Sequence, residues 1–165
     1  RVFCLSRGLG DVYKRQTFVL TTPLRSGNEI ADHIYKHGDG VKVLALKVDD
    51  ATSALHETTT RGATQYKAVT KLSDVNGEVV ISGIHTYGDT VHLFIERKNY
   101  NGVFMPGYRA WSNPYFKMEQ TGLQYVDHCV GNVGWNQMNP WVNFYENVMG
   151  FRNICLLYTS DAADE

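Results

Sequence analysis

A chain of 165 residues has room for one domain or two small modules. Its 43% hydrophobic and 20% charged residues argue against a disordered polymer, and a formal net charge of -1 gives no electrostatic case for nucleic acid or an anionic membrane as partner. No apolar run is long enough to span a bilayer, and the three cysteines, Cys4, Cys129 and Cys155, are too few for a disulfide framework or a zinc cluster, which suits a reducing, cytosolic setting.

The two ends are related as DNA rather than as protein. Asp11-Val12-Tyr13-Lys14-Arg15-Gln16 back-translates as GATGTGTATAAGAGACAG. The reverse complement, read one base later, encodes Cys-Leu-Leu-Tyr-Thr-Ser, which is the string Cys155 to Ser160. The shared element resembles the transposon end used to prepare sequencing libraries, and the runs from Ser6 to Gly10 and from Asp161 to Glu165 match its usual flanks. Such scars are excluded from fold reasoning. Residues 1–16 and 155–165 are therefore expected to be non-native tails, with Arg1 to Leu5 of no identified source. That leaves 17–154 as the biological stretch and Cys129 as its only thiol.

Along that stretch, Thr17 to Thr22 is β-branched and ends at Pro23, which predicts a strand. Ser26 is expected to cap a helix through Ile30, Ile34 and Tyr35, stopped by Gly38. Val41 to Val48 is an apolar strand. Asp49 or Asp50 caps a helix running to about Arg61 and ending at Gly62. Tyr66 to Val75 and Glu78 to Tyr87 flank Asn76-Gly77, a strong hairpin signal. A further strand runs from Val91 to Glu96. The order is strand, helix, strand, helix and then three strands.

Residues 99–122 hold Gly102, Pro106, Gly107, Pro114 and Gly122 with aromatics between them, which suits an ordered connector. Gln124 to Val130 alternates as a strand. A helix then begins near Asn139, with Pro140 in its first turn and Trp141, Phe144, Tyr145 and Val148 on one face, and Gly150 ends it. With so little of a second module present, that face and the strand edges are expected to lie bare and to drive self-association.

There are six histidines. His33 and His37 stand four apart on one helix, but no third donor of suitable spacing accompanies them, and a structural role is favoured. His56 falls on a polar helix face. His85 and His92 are read as surface or cross-strand partners. His128 shares a strand face with Val126 and Val130, so its ring needs a partner, either a backbone carbonyl or a metal.

Four blocks carry a resemblance. They are His37-Gly38-Asp39-Gly40-Val41, Tyr87-Gly88-Asp89-Thr90, the run from Asn99 to Tyr108, and Asp127-His128-Cys129-Val130-Gly131-Asn132-Val133. In this order and spacing they resemble hallmarks of the 4-hydroxyphenylpyruvate dioxygenase family, within the vicinal-oxygen-chelate superfamily. The resemblance implies an α+β fold of βαβββ modules arranged in two halves. Residues 17–98 would be the later part of the first, non-catalytic half, 99–122 the connector, and 123–154 the first strand and helix of the catalytic half.

It also implies iron(II) held by two His and one Glu, a set that leaves open positions for a 2-oxo acid and dioxygen. His128 maps onto the first of these ligands and Val130 onto a pocket-lining position. The other two ligands would lie beyond Ile154, and no further catalytic residue is assigned. In the first half, Val43 stands where the second ligand would be and Glu96 where the third would be, so Glu96 reads as a structural relic. The implied activity is conversion of 4-hydroxyphenylpyruvate and dioxygen to homogentisate and carbon dioxide in tyrosine catabolism. The parent is expected to be a cytoplasmic homo-oligomer, and this stretch alone to be inactive. The alternatives are a 4-hydroxymandelate synthase or a metal-free binding protein of the same fold.

Overall fold

The computed structural model describes residues 2–6 (backbone only), 17–111, 122–123 and 125–154. Two strands, β1 (Val2–Ser6) and β2 (Thr17–Thr21), form an antiparallel ribbon. Next come α1 (Glu29–His37), β3 (Val43–Lys47), α2 (Ala51–Thr60), β4 (Gln65–Asp74), β5 (Gly77–His85), β6 (Val91–Glu96) and α3 (Met138–Asn147). The sheet order is β3-β6-β5-β4, with β3 parallel to β6 and the other pairs antiparallel. One strand, one helix and three strands thus close a single βαβββ unit.

The elements predicted between Thr17 and Glu96, and the helix after them, form in the predicted order with shifts at their ends. α1 is capped by Asn28 rather than Ser26: the Asn28 side chain accepts from the N–H groups of Ile30 and Ala31 at 3.2 and 3.0 Å. Asn caps as well as Ser does, and here it lies directly before the first helical turn. Asp50 caps α2 by accepting from Thr52 and Ser53, both at 2.8 Å. The hairpin turn lies one residue earlier than read. Asp74 pairs with Gly77, which leaves Val75 and Asn76 as the loop. Neither has positive φ, which rules out the type I′ turn that Asn-Gly usually signals. Gly77 itself opens β5 at φ +123°, and a Cβ there would strike the Asn99 carbonyl. The glycine is required by the approach of the connector.

Side chains alternate across the sheet. Val80, Ser82 and Ile84 of β5, with His92, Phe94 and Glu96 of β6, face α2. There Val80, Ile84 and Phe94 join Ala51, Leu55, Ala63 and Val148 in the main core. On the other face Val79 and Ile81 pack with Tyr100, Leu93, Ile95 and Met105. The connector therefore starts ordered. Tyr100 is buried and bridges to Gly77, and Asp74 accepts from the Tyr100 hydroxyl at 3.1 Å and from the Gly107 N–H at 3.3 Å. Residues 112–121 lie outside the described residues.

The apolar face of α3 is not bare. Val148 is buried in the main core, Phe144 packs against it, and Tyr145 hydrogen-bonds back to the sheet. The expected strand from Gln124 to Val130 does not form over its described part, because Tyr125 to Val130 has no regular structure. Alternation alone does not make a strand: the ladder needs a neighbour, and no described strand pairs with this segment.

Candidate metal centre

His128 is presented by the irregular segment 125–130 rather than from a strand. Its side chain is 72% exposed and that of Asp127 79%. Val130 and Cys129 are exposed as well. His128 therefore does not point into an apolar face. Its Nδ1 lies 2.7 Å from Asp127 Oδ2. If Nδ1–H donates to that carboxylate, the neutral ring leaves Nε2 unprotonated, which is the form in which an imidazole binds a metal. In an extended strand, neighbouring side chains point to opposite faces. This contact therefore belongs to the irregular conformation. At these exposures the pair adds little stability.

The segment after His128 is tied to the first unit. A Cβ on Gly131 would strike the Tyr87 hydroxyl. Tyr87 also meets the Trp141 ring edge-on at 5.5 Å. The block around His128 and the Tyr87-Gly88-Asp89-Thr90 turn, far apart in sequence, thus come together.

The other histidines divide. His33 and His37 lie ring to ring at 4.7 Å, and His37 Nε2 sits 2.8 Å from Asp89 Oδ2. The His37 ring and then the Lys36 ammonium hold the Asp89 carboxyl below its ordinary pKa. His56 is exposed, as read. His85 is also exposed and packs edge-on against Tyr66.

His92 departs from the surface reading, being only 2% exposed. Its Nδ1 lies 3.1 Å from the Leu44 carbonyl and its Nε2 2.9 Å from the Tyr145 hydroxyl. The carbonyl can only accept, so Nδ1 carries the proton and Nε2 accepts from Tyr145. Burial pushes the His92 pKa down. His92 is the polar link between β6 and α3; its bond to Leu44, its ladder partner on β3, fits the cross-strand reading, and the contact with Tyr145 is what the sequence reading missed.

Glu96 and Val43 answer the question of a vestigial site in the first unit. Ladder partners share a face, and Val43 pairs with Val91 while Leu44 pairs with His92. Val43 therefore lies on the face opposite His92, Phe94 and Glu96. The two positions cannot converge on one ion. Glu96 has a structural task instead: its Oε2 accepts from the Ala51 N–H at 3.1 Å, and its Oε1 pairs with Lys98 Nζ at 2.8 Å. The Lys98 ammonium and then the Ala51 N–H hold its carboxyl below the ordinary range. Ser82 Oγ donates to the Ala51 carbonyl at 2.7 Å, so the start of α2 is pinned twice.

Among the described residues no three His, Cys, Asp or Glu side chains gather as a metal site. The donors present amount to one imidazole, so no reaction step is derived through a metal.

The comparisons with known proteins agree with this architecture. No protein-family model matches the chain. A triple mutant of 4-hydroxymandelate synthase from Streptomyces coelicolor superposes with a TM-score of 0.60 at 22% identity, over 81% of this chain and 38% of that one. That likeness and the βαβββ unit define a mixed α+β protein of the vicinal-oxygen-chelate fold. A 4-hydroxyphenylpyruvate dioxygenase of Aspergillus fumigatus is 36% identical over 92% of this chain and 43% of its own length. The proteins of that name from Caenorhabditis briggsae and Caenorhabditis elegans are 39% and 40% identical, over 81% and 78% of this chain and 35% and 33% of theirs. The chain is thus similar over most of its length to proteins named 4-hydroxyphenylpyruvate dioxygenase, and it spans less than half the length of these relatives.

Proposed function

We propose that this chain is a stretch of an iron(II)-dependent 4-hydroxyphenylpyruvate dioxygenase, the parent converting 4-hydroxyphenylpyruvate and dioxygen to homogentisate and carbon dioxide. The observation that carries this reading is identity of 36–40% to proteins of that name over most of the chain. The synthase neighbour, at 22%, is the more distant, which favours the dioxygenase over the mandelate synthase. Residues 17–98 belong to the non-catalytic half, 99–122 to the connector and 123–154 to the start of the catalytic half, with 1–16 and 155–165 as non-native tails. His128 supplies one of three iron ligands, its Nε2 turned to the metal, and Val130 lines the substrate pocket. A centre of two His and one carboxylate would leave open positions for a 2-oxo acid and dioxygen. The chain's own part is to supply the His128 imidazole and to tie the segment that carries it to the first unit, where Gly131 meets Tyr87.

In the parent, Tyr125 to Val130 gains ladder neighbours, becomes the strand its alternation specifies, and turns His128 inward. The parent is expected to be cytoplasmic and homo-oligomeric. No described helix is long and apolar enough to cross a membrane.

The test is homogentisate formation from 4-hydroxyphenylpyruvate with added iron(II). The uninterrupted reading frame should turn over, and the 165-residue chain should not. Turnover by the short chain, or none by the intact protein, would overturn the assignment.

A further inference from the structure

α1 differs from α2, the helix of the βαβββ unit, in how it is held. None of its nine residues is buried, and a helix of that length is not stable alone in water. Ile30, Ala31 and Ile34 are only partly covered. Its fixed contacts are charged. At its start, the Glu29 carboxylate accepts from the Tyr66 hydroxyl at 2.7 and 2.9 Å and pairs with Lys42 Nζ at 3.0 Å. At its end, His37 Nε2 and Lys36 Nζ lie 2.8 and 3.5 Å from Asp89 Oδ2.

Between these clasps lies a cavity of about 220 Å³, lined from the helix by Asp32 and His33 and from the sheet by Tyr66, His85 and Val91. His33 Nδ1 is shut off from solvent with no hydrogen-bond partner among the described residues. That unpaired ring nitrogen opposes the docked state.

We propose that α1 is a salt-released lid over this polar cavity, held shut by the Glu29 and Asp89 clasps. Ion pairs that border solvent are screened by salt, whereas apolar burial is not. α2 provides the internal contrast, since Ala51, Leu55 and Thr58 are buried. Raising salt therefore loosens α1 selectively. Opening would uncover Tyr66 and the sheet face that carries Val91.

The test is hydrogen exchange on the 165-residue chain, resolved by segment, from low salt to molar potassium chloride. Exchange of the amides from Asp32 to Gly38 should quicken by about threefold to tenfold, with α2 unmoved. Asp89→Asn and Glu29→Gln should each exchange α1 rapidly already at low salt and show a weaker response to added salt. The proposal is overturned if α1 exchange ignores salt, if α1 and α2 quicken together, or if both variants stay as protected as the parent. The unsubstituted chain supplies the decisive comparison even if a variant folds poorly.

Discussion

Replacing Glu96 separates a structural carboxylate from an idle one. In Glu96→Ala the Ala51 N–H, at the buried start of α2, loses its acceptor. An unmet buried donor costs about 1–3 kcal/mol, and loss of a charge beside a helix N-terminus adds some tenths. The ion pair with the exposed Lys98 is screened by solvent and adds little. The expected loss is about 2–4 kcal/mol, a large share of a small domain's stability. Glu96→Gln keeps an acceptor and should lose about 1 kcal/mol.

The pH dependence has a definite sign. The folded carboxyl is held below its ordinary value of 4.5, so its contribution is full above that value and fades as pH falls through it toward the lower, folded pKa. Urea unfolding followed by circular dichroism should therefore show the gap between the parent chain and Glu96→Gln narrowing below about pH 4.5. If Glu96→Ala unfolds within about 0.5 kcal/mol of the parent at neutral pH, the pinning of α2 by Glu96 is wrong.

Gly77→Ala forces a left-handed φ on alanine and drives its Cβ into the Asn99 carbonyl. It should cost about 1–3 kcal/mol and raise hydrogen exchange at Glu78 and Asn101, whose amides donate to Asn99 and Asn76. His92 has a folded pKa pushed below 6.5 by burial. The unfolded chain therefore takes up the proton first, and stability should fall as pH drops below about 6.5 until the folded pKa is reached. His92→Gln should flatten that slope, and an unchanged slope would exclude His92 as its source.

How far the sequence could be read depended on the range of the forces involved. β6 runs from Val91 to Glu96 as its residues predict, and Asp50 caps α2, because both rest on near neighbours in the chain. The cap of α1 moved from Ser26 to Asn28 because several polar residues can do that work and the docked geometry chooses. The hairpin turn moved by one residue because the connector claims the space at Gly77, a contact no local rule contains. His92 was partly legible: it alternates in step with Phe94 and Glu96, the face that α2 covers, but its partner Tyr145 lies 53 residues on. The strand around His128 was over-read because its pattern assumes a ladder that the described residues do not provide. His128 itself came from a motif resemblance, and nothing in its exposed setting would mark it out.

The most direct test of the central claim is the iron content of the intact protein with and without His128. The parent should bind iron(II) and form homogentisate, and His128→Ala should lose both while its circular dichroism spectrum stays the same. If the folded variant keeps its iron and its turnover, His128 is not a ligand and the proposed metal centre is wrong.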